Sequence, residues 1–333
     1  MHKVVLSVLA VLVLVSGMAF AAGAGESASE EEDRLVIYAS HPTEMVDYFV
    51  EAFQAKYGEV EVELITGGTG ELLSRVQAER DRPQGDIMWG GGSHTGGSAP
   101  DLFAKYESPA LDGISEEFHD PEGYNAPFDA FTMVIVYNTD LVSEDEVPRR
   151  WADLADPKWS GQVVHANPAA SSSAYAAMNT WLQIGGWDMV EELAENQIIA
   201  DSSSAPFTQV GQGENPLGVA YEEGAFRWVP SGNVGIVYPE DGVALLPGGL
   251  FLIQDGPNPS NAQRFADFVL SKESQEALAR EFPGRRPTHR EVELHPAMTP
   301  VEELNVIEYP VEAASENREE YLNRWREIMI RTR

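Results

Sequence analysis

The 333-residue chain carries 54 Asp and Glu against 22 Lys and Arg, a formal net charge of −32, and no cysteine. Such a field repels nucleic acid and anionic membrane surfaces, and without thiols there are no disulfides, no thiolate-held metals and no lipid attached at cysteine. A hydrophobic share of 43% over this length suffices for two ordinary domains, each with its own core.

Met1-His2-Lys3, an apolar run over 4–15 and a small-residue segment over 16–22 containing Ala19-Phe20-Ala21 predict a cleaved export signal over residues 1–22. The run is too short to span a bilayer, which takes about 20 apolar residues. Residues 23–33, acidic from Glu26 to Asp33, predict a solvated tether. The mature protein is expected to be a periplasmic monomer with no membrane insertion after cleavage.

From Leu35 the chain alternates apolar runs with amphipathic stretches. Leu35-Val36-Ile37-Tyr38 predicts a strand, and Met45, Val46, Phe49, Val50 and Phe53 fall on one helical face. A strand over 60–65, a helix marked by Leu72, Leu73 and Val76, and a strand from Asp86 to Trp89 follow. Successive βα units imply a parallel sheet, whose strand ends form a binding rim. Residues 94–107 predict a helix, 108–127 a surface loop, and 128–141 a long strand region leaving one lobe for another.

A second α/β region repeats the pattern. A helical segment over 151–159, a strand over 162–165, helices over 174–184 and 187–196, and strands over 198–200 and 217–221 are expected. Strands over 234–238 and 249–253 bring the chain back; helices over 262–270, 275–282 and about 314–330 complete it. Two α/β lobes joined near 130–140 and 240–250 are a hinge arrangement, suited to closing on a ligand. The expected division is 34–132 plus 246–300 for the first lobe and 133–245 plus 301–333 for the second.

Candidate ligand groups lie at strand ends and helix starts. In the first lobe these are Ser40 and His41, Thr69 and Gly70, and Trp89 with Gly90 and Gly91, which offer hydroxyl, imidazole and main-chain donors and a stacking face. In the second lobe Ser171, Ser172 and Ser173 open a helix whose free N–H groups favour an anion. Ser203 and Ser204 form a similar turn, and Tyr221 with Glu222 is placed to read ligand hydroxyls. Glu223 is expected to face water, and Arg286 is a candidate charge. Enzyme signatures are missing: no Gly-x-Ser-x-Gly elbow, no His-Glu-x-x-His and no Walker loop. No cofactor is expected.

Val36-Ile37-Tyr38-Ala39-Ser40-His41, Thr66-Gly67-Gly68-Thr69-Gly70, Gln84-Gly85-Asp86-Ile87-Met88-Trp89, Tyr238-Pro239-Glu240-Asp241-Gly242 and Phe268-Val269-Leu270-Ser271 resemble, in that order, substrate-binding proteins of ABC importers. The resemblance is to the branch holding ferric-, hexose-phosphate-, phosphonate- and thiamine-binding proteins. It implies an α/β, two-lobed type II periplasmic-binding-protein fold with two hinge crossover strands. It also implies a small anionic solute, such as a sugar phosphate or phosphonate, delivered to permease subunits. Ferric members use a His, a carboxylate and two tyrosines. Here His41 matches, the carboxylate position falls on Gly90 or Gly91, and the tyrosine pair reads Tyr221-Glu222. Ferric iron held by His41, Tyr221 and Glu222 is therefore the alternative, with an anion at Ser171–Ser173 in either case.

Overall fold

The computed structural model describes residues 33–332; the export signal and the tether up to Glu32 lie outside them. Strand β1 (Arg34–Ala39) shows why its run is apolar throughout. Leu35, Ile37 and Ala39 point into one core cluster and Val36 and Tyr38 into another, so both faces are covered, as in parallel sheets flanked by crossover helices. Helix α1 (Thr43–Lys56), β2 (Glu61–Thr66), α2 (Thr69–Glu79) and β3 (Ile87–Gly92) complete two βα units, with β1 parallel to both β2 and β3.

Next come α3 (His94–Gly97), β4 (Phe103–Ala104) and β5 (Asn125–Phe131). After Thr132 the chain enters a second region: β6 (Met133–Asn138), β7 (Val163–Ala166), α4 (Ser172–Glu195), β8 (Gln197–Ala200), α5 (Ala205–Gly211), β9 (Leu217–Tyr221), α6 (Glu222–Phe226) and β10 (Val234–Val237). It returns through β11 (Val243–Ala244) into β12 (Leu246–Ile253), α7 (Pro259–Leu270), α8 (Lys272–Glu281) and β13 (Arg286–Pro287). Strand β14 (Val306–Ile307), α9 (Val311–Glu316) and α10 (Arg318–Arg331) end it.

Among the described residues a seven-stranded sheet runs β13-β5-β12-β3-β1-β2, with β4 on β12, and a five-stranded sheet runs β10-β6-β9-β7-β8. A two-stranded sheet pairs β11 with β14. Around the second sheet, Tyr175, Met178 and Trp181 of α4 and Phe207 of α5 share one core with Trp325 and Ile328 of α10. No described helix is long and apolar enough to cross a membrane.

Four expectations change in detail. The helix expected over 94–107 is only the short α3, because Gly96, Gly97 and Pro100 interrupt it; Gly96 sits so close to Phe251 that a Cβ would lie 2.8 Å from the ring. The long strand region splits at Thr132 into β5 and β6, which belong to different sheets. The helices over 174–184 and 187–196 are one element kinked at Gly186, whose φ of 68° only glycine adopts readily. The terminal helix is two, α9 and α10, separated at Asn317.

Candidate functional site

The strand ends and helix starts of the two sheets converge on a narrow, partly open cleft. Ser40, His41, Thr69 and Gly91 line it from the first sheet, and Ser171, Ser172, Ser173, Ser203 and Tyr221 from the second. Ser204 stands further out, in the wider mouth. Pro42, Phe131 and Arg285 also line the cleft, and none of these three stands out in the sequence as a ligand group.

On the first-sheet side, the Thr69 hydroxyl donates to Ser40 Oγ at 3.1 Å. Glycine is required where β3 ends: Gly90 has φ +125°, and a Cβ there would lie 2.1 Å from Ser40 Oγ. Gly70 does not face the cleft. Its N–H approaches the Ala170 carbonyl at 3.4 Å, and a Cβ would lie 2.3 Å from the Ala169 carbonyl oxygen. It is thus a point of close approach between the two halves.

Trp89 is fully buried, edge-on to Phe128 at 5.1 Å and Phe265 at 5.2 Å. The expected stacking face is therefore core. His41 packs edge-on against Trp89 at 5.4 Å. Burial, and secondarily the Arg285 charge, hold its imidazole well below the usual range. It is neutral, and Nε2 is buried without a protein partner.

On the second-sheet side Ser171 is the N-cap of α4: its Oγ accepts from the Ala174 N–H at 3.2 Å and pairs with Ser173 Oγ at 3.0 Å. The amides of Ser172 and Ser173 belong to the first turn, where the helix supplies no acceptor. At the α5 turn, Ser202 and Ser204 hydroxyls pair with each other at 2.8 Å. Burial and the nearby Glu223 charge raise the Tyr221 phenol, which stays protonated and so has a proton to donate.

Glu222 is a correction. It is fully buried and turned away from the cleft, held bidentately by Arg286 (Nε to Oε2 2.9 Å, Nη2 to Oε1 2.8 Å) and by the Tyr238 hydroxyl. Arg286 accordingly serves Glu222 and the Thr299 carbonyl and does not line the cleft. Glu223 is also buried, against expectation, between Arg227 and Arg285. Arg285 is what the cleft contributes beyond the predicted set. Gly284, at φ +96° and with room for no Cβ against Glu223 Cα (2.3 Å), lays the chain tightly over the start of α6. The Arg285 side chain, 6% exposed, donates from Nη1 to Asp129 Oδ2 at 2.6 Å and lies 5.4 Å from the Tyr221 ring centroid. Its Nε is buried with no protein acceptor.

This donor set suits an anion: a guanidinium with a free N–H, a helix start and several hydroxyls within one small space. It does not suit a bare cation. The alternative set of His41, Tyr221 and Glu222 is broken by the Glu222–Arg286 pair. Among the described residues no group of three or more His, Asp or Glu side chains is disposed to hold a metal.

A doubly lobed α/β chain with a donor-lined cleft at its strand ends is a type II periplasmic binding protein, the solute receptor of an ABC importer. The chain belongs to the bacterial extracellular solute-binding protein family, whose model matches residues 98–307. It is similar to the periplasmic binding protein AfuA from Actinobacillus pleuropneumoniae, solved with exogenous fructose-6-phosphate bound: 28% identity, TM-score 0.83, covering 89% of this chain and 98% of that one. An uncharacterized protein of Haemophilus influenzae is 29% identical over 330 residues, 93% of this chain and 95% of its own length. An Fe(3+)-binding periplasmic protein of Serratia marcescens is 25% identical over 286 residues, 80% and 82% respectively.

Proposed function

We propose that the protein captures a small phosphorylated or otherwise anionic organic solute, such as a sugar phosphate, in the periplasm and delivers it to an ABC importer. The observation that carries this is the buried Arg285 Nε, free of any protein acceptor beside the start of α4. The anionic group sits between Arg285 and the Ser171–Ser173 turn, with Ser40, Thr69 and Tyr221 left to read hydroxyls. AfuA, solved with a sugar phosphate bound, supports the same choice. The two sheets support a division into lobes of 34–132 plus 246–300 and 133–245 plus 301–333, with closure about Thr132 and the 238–245 return.

The ferric reading, favoured by the Serratia marcescens relative, has to place a cation against the Arg285 guanidinium with only His41 and Tyr221 to hold it. The test is calorimetric titration with fructose 6-phosphate, 2-aminoethylphosphonate, fructose and ferric citrate. Binding of a phosphorylated or phosphonate solute is expected, with no heat from fructose. Arg285→Met is expected to weaken it about 10- to 150-fold, the worth of a charged hydrogen bond. Tight ferric binding with a visible charge-transfer band lost in Tyr221→Phe would overturn the proposal.

A further inference from the structure

Ser172 is wired differently from its two serine neighbours. Its Oγ accepts the Gly92 N–H at 2.9 Å and lies 3.0 Å from His94 Nε2. The imidazole is itself buried, 1% exposed, and its Nδ1 lies 3.3 Å from the Tyr309 hydroxyl. Ser172 opens α4, whereas Gly92 and His94 close β3 and open α3, so the chain of contacts joins the two halves of the cleft. His94 and Tyr309 do not line the cleft; Ser172 does.

Proton bookkeeping gives this chain a direction. A neutral imidazole carries one N–H and one acceptor nitrogen, and a serine hydroxyl accepts through two lone pairs and donates one proton. Burial, with a lesser push from the Arg318 charge, lowers His94 to about 3, so the ring is neutral. Burial raises Tyr309 well above the usual phenol range, so it keeps its proton. His94 Nδ1 is the side-chain polar contact of that phenol, and a phenol that keeps its proton is satisfied there by donating to it. With Nδ1 accepting, the ring proton sits on Nε2 and is donated to Ser172 Oγ. Together with the Gly92 N–H it fills both Ser172 lone pairs. The one remaining function of the Ser172 hydroxyl is to donate, and the space open to it is the cleft. The opposite tautomer would strand the Tyr309 proton and turn the Ser172 proton back onto the ring.

We infer that Tyr309 and His94 are positioning residues that fix Ser172 as an obligate hydrogen-bond donor to the anionic group of the solute, selecting ligands that present only acceptors there. Deepening the proposed function, this rests on the anion site assigned above. An ammonium group finds a donor where it needs an acceptor, and a hydroxyl or protonated carboxyl can use only its acceptor lone pairs there, whereas a phosphate oxygen is acceptor throughout. Since the lone pairs are filled from the β3 side and the serine comes from α4, the donor is set only when the halves are together.

The experiment is a double-mutant cycle read by calorimetry with fructose 6-phosphate and inorganic phosphate as probes. Ser172→Ala is expected to weaken binding about tenfold, and Tyr309→Phe, which frees the tautomer, by several-fold. In the Ser172→Ala background Tyr309→Phe should change affinity less than twofold. His94→Gln, whose amide nitrogen can replace Nε2–H, should retain more affinity than His94→Leu. An equal loss from Tyr309→Phe with and without Ser172, or no loss in either, would overturn the inference and leave a packing role. Nitrogen-15 NMR of the unliganded protein is the second measurement: the Nε2–H tautomer at His94 is expected, and Nδ1–H overturns the wiring outright. A wild-type protein that binds neither probe would count against the functional proposal, while the tautomer would still decide the wiring.

Discussion

The Glu222–Arg286 pair joins the start of α6 to β13, and so links the two sheets beside the Thr132 crossover, where the Glu222 N–H also donates to the Thr132 carbonyl at 3.0 Å. Replacing Arg286 with Met keeps most of the side-chain volume but leaves a carboxylate at 0% exposure with only the Tyr238 hydroxyl. Removing one partner of such a buried pair costs about 3–5 kcal/mol, whereas replacing both by apolar groups is often neutral. Against a stability of about 5–15 kcal/mol for a folded domain, that is a large fraction. Urea unfolding at pH 7 should therefore show Arg286→Met destabilised by about 3–5 kcal/mol and the double variant Glu222→Leu/Arg286→Met far less so. The pH dependence has a definite sign. Burial already raises the Glu222 carboxyl above its usual 4.5, and losing Arg286 raises it further. A carboxyl raised in the folded state stabilises below its unfolded value and loses that contribution as pH climbs. The deficit of Arg286→Met should shrink as pH falls toward 4.5. A variant within about 1 kcal/mol of the parent at pH 7, or a deficit that grows on acidification, would refute the reasoning.

His165 is buried at 0% exposure with neither nitrogen partnered, 4.9 Å from the Trp181 ring, and burial lowers it to about 3. Only the unfolded chain then takes up its proton below about 6.5, so stability falls with pH by about 1.4 kcal/mol per unit, and His165→Leu should flatten a plot of Tm against pH between 6 and 4. Gly70→Ala places a methyl on the Ala169 carbonyl; if the proposed hinge separates these two segments in the unliganded protein, calorimetry should show solute affinity reduced by about tenfold or more while the Tm of the unliganded protein stays within a few degrees.

The rim was legible because local rules write it: an apolar run, a small or polar residue at its end, then a helical face. That logic brings Ser40, His41, Thr69, Gly91, Ser171–Ser173, Ser203 and Tyr221 to one space. Trp89 went astray where period two was available to correct it. Ile87 and Trp89 share a core cluster, while Met88 joins the opposite one. Glu222, Glu223 and Arg285 could not be placed locally, because each is defined by a partner far along the chain. The signal was there only in combination: Glu222-Glu223 after a strand, and Arg285-Arg286 after a glycine with positive φ. Two acidic and two basic residues, each pair adjacent, met across the crossover. The breaks in α3 and α9–α10 are tertiary choices at glycine and asparagine that periodicity does not weigh.

The proposed capture of an anion by a chain of net charge −32 is a local affair. At a Debye length of about 8–10 Å in physiological salt, most of the surface carboxylates are screened from a ligand inside the cleft. The charges that act are those within a few ångströms, and these are balanced: Arg285 bridges Asp129 and Glu223, which also meets the exposed Arg227, and Arg286 pairs with Glu222. Neutral pairing is needed because two unpaired guanidinium groups, Arg285 and Arg286, would be costly to bury in the empty protein. Yet it leaves the Arg285 Nε–H uncommitted at the cleft, and Arg286 Nη1 uncommitted away from it. On the proposed function, specificity then follows from what lines the cleft after internal pairing: the Arg285 Nε–H, the first-turn amides of α4 and the serine and tyrosine hydroxyls, a set dominated by donors. On this proposal the acidic exterior does not set what the receptor binds, and the cleft selects by hydrogen-bond direction instead of by field.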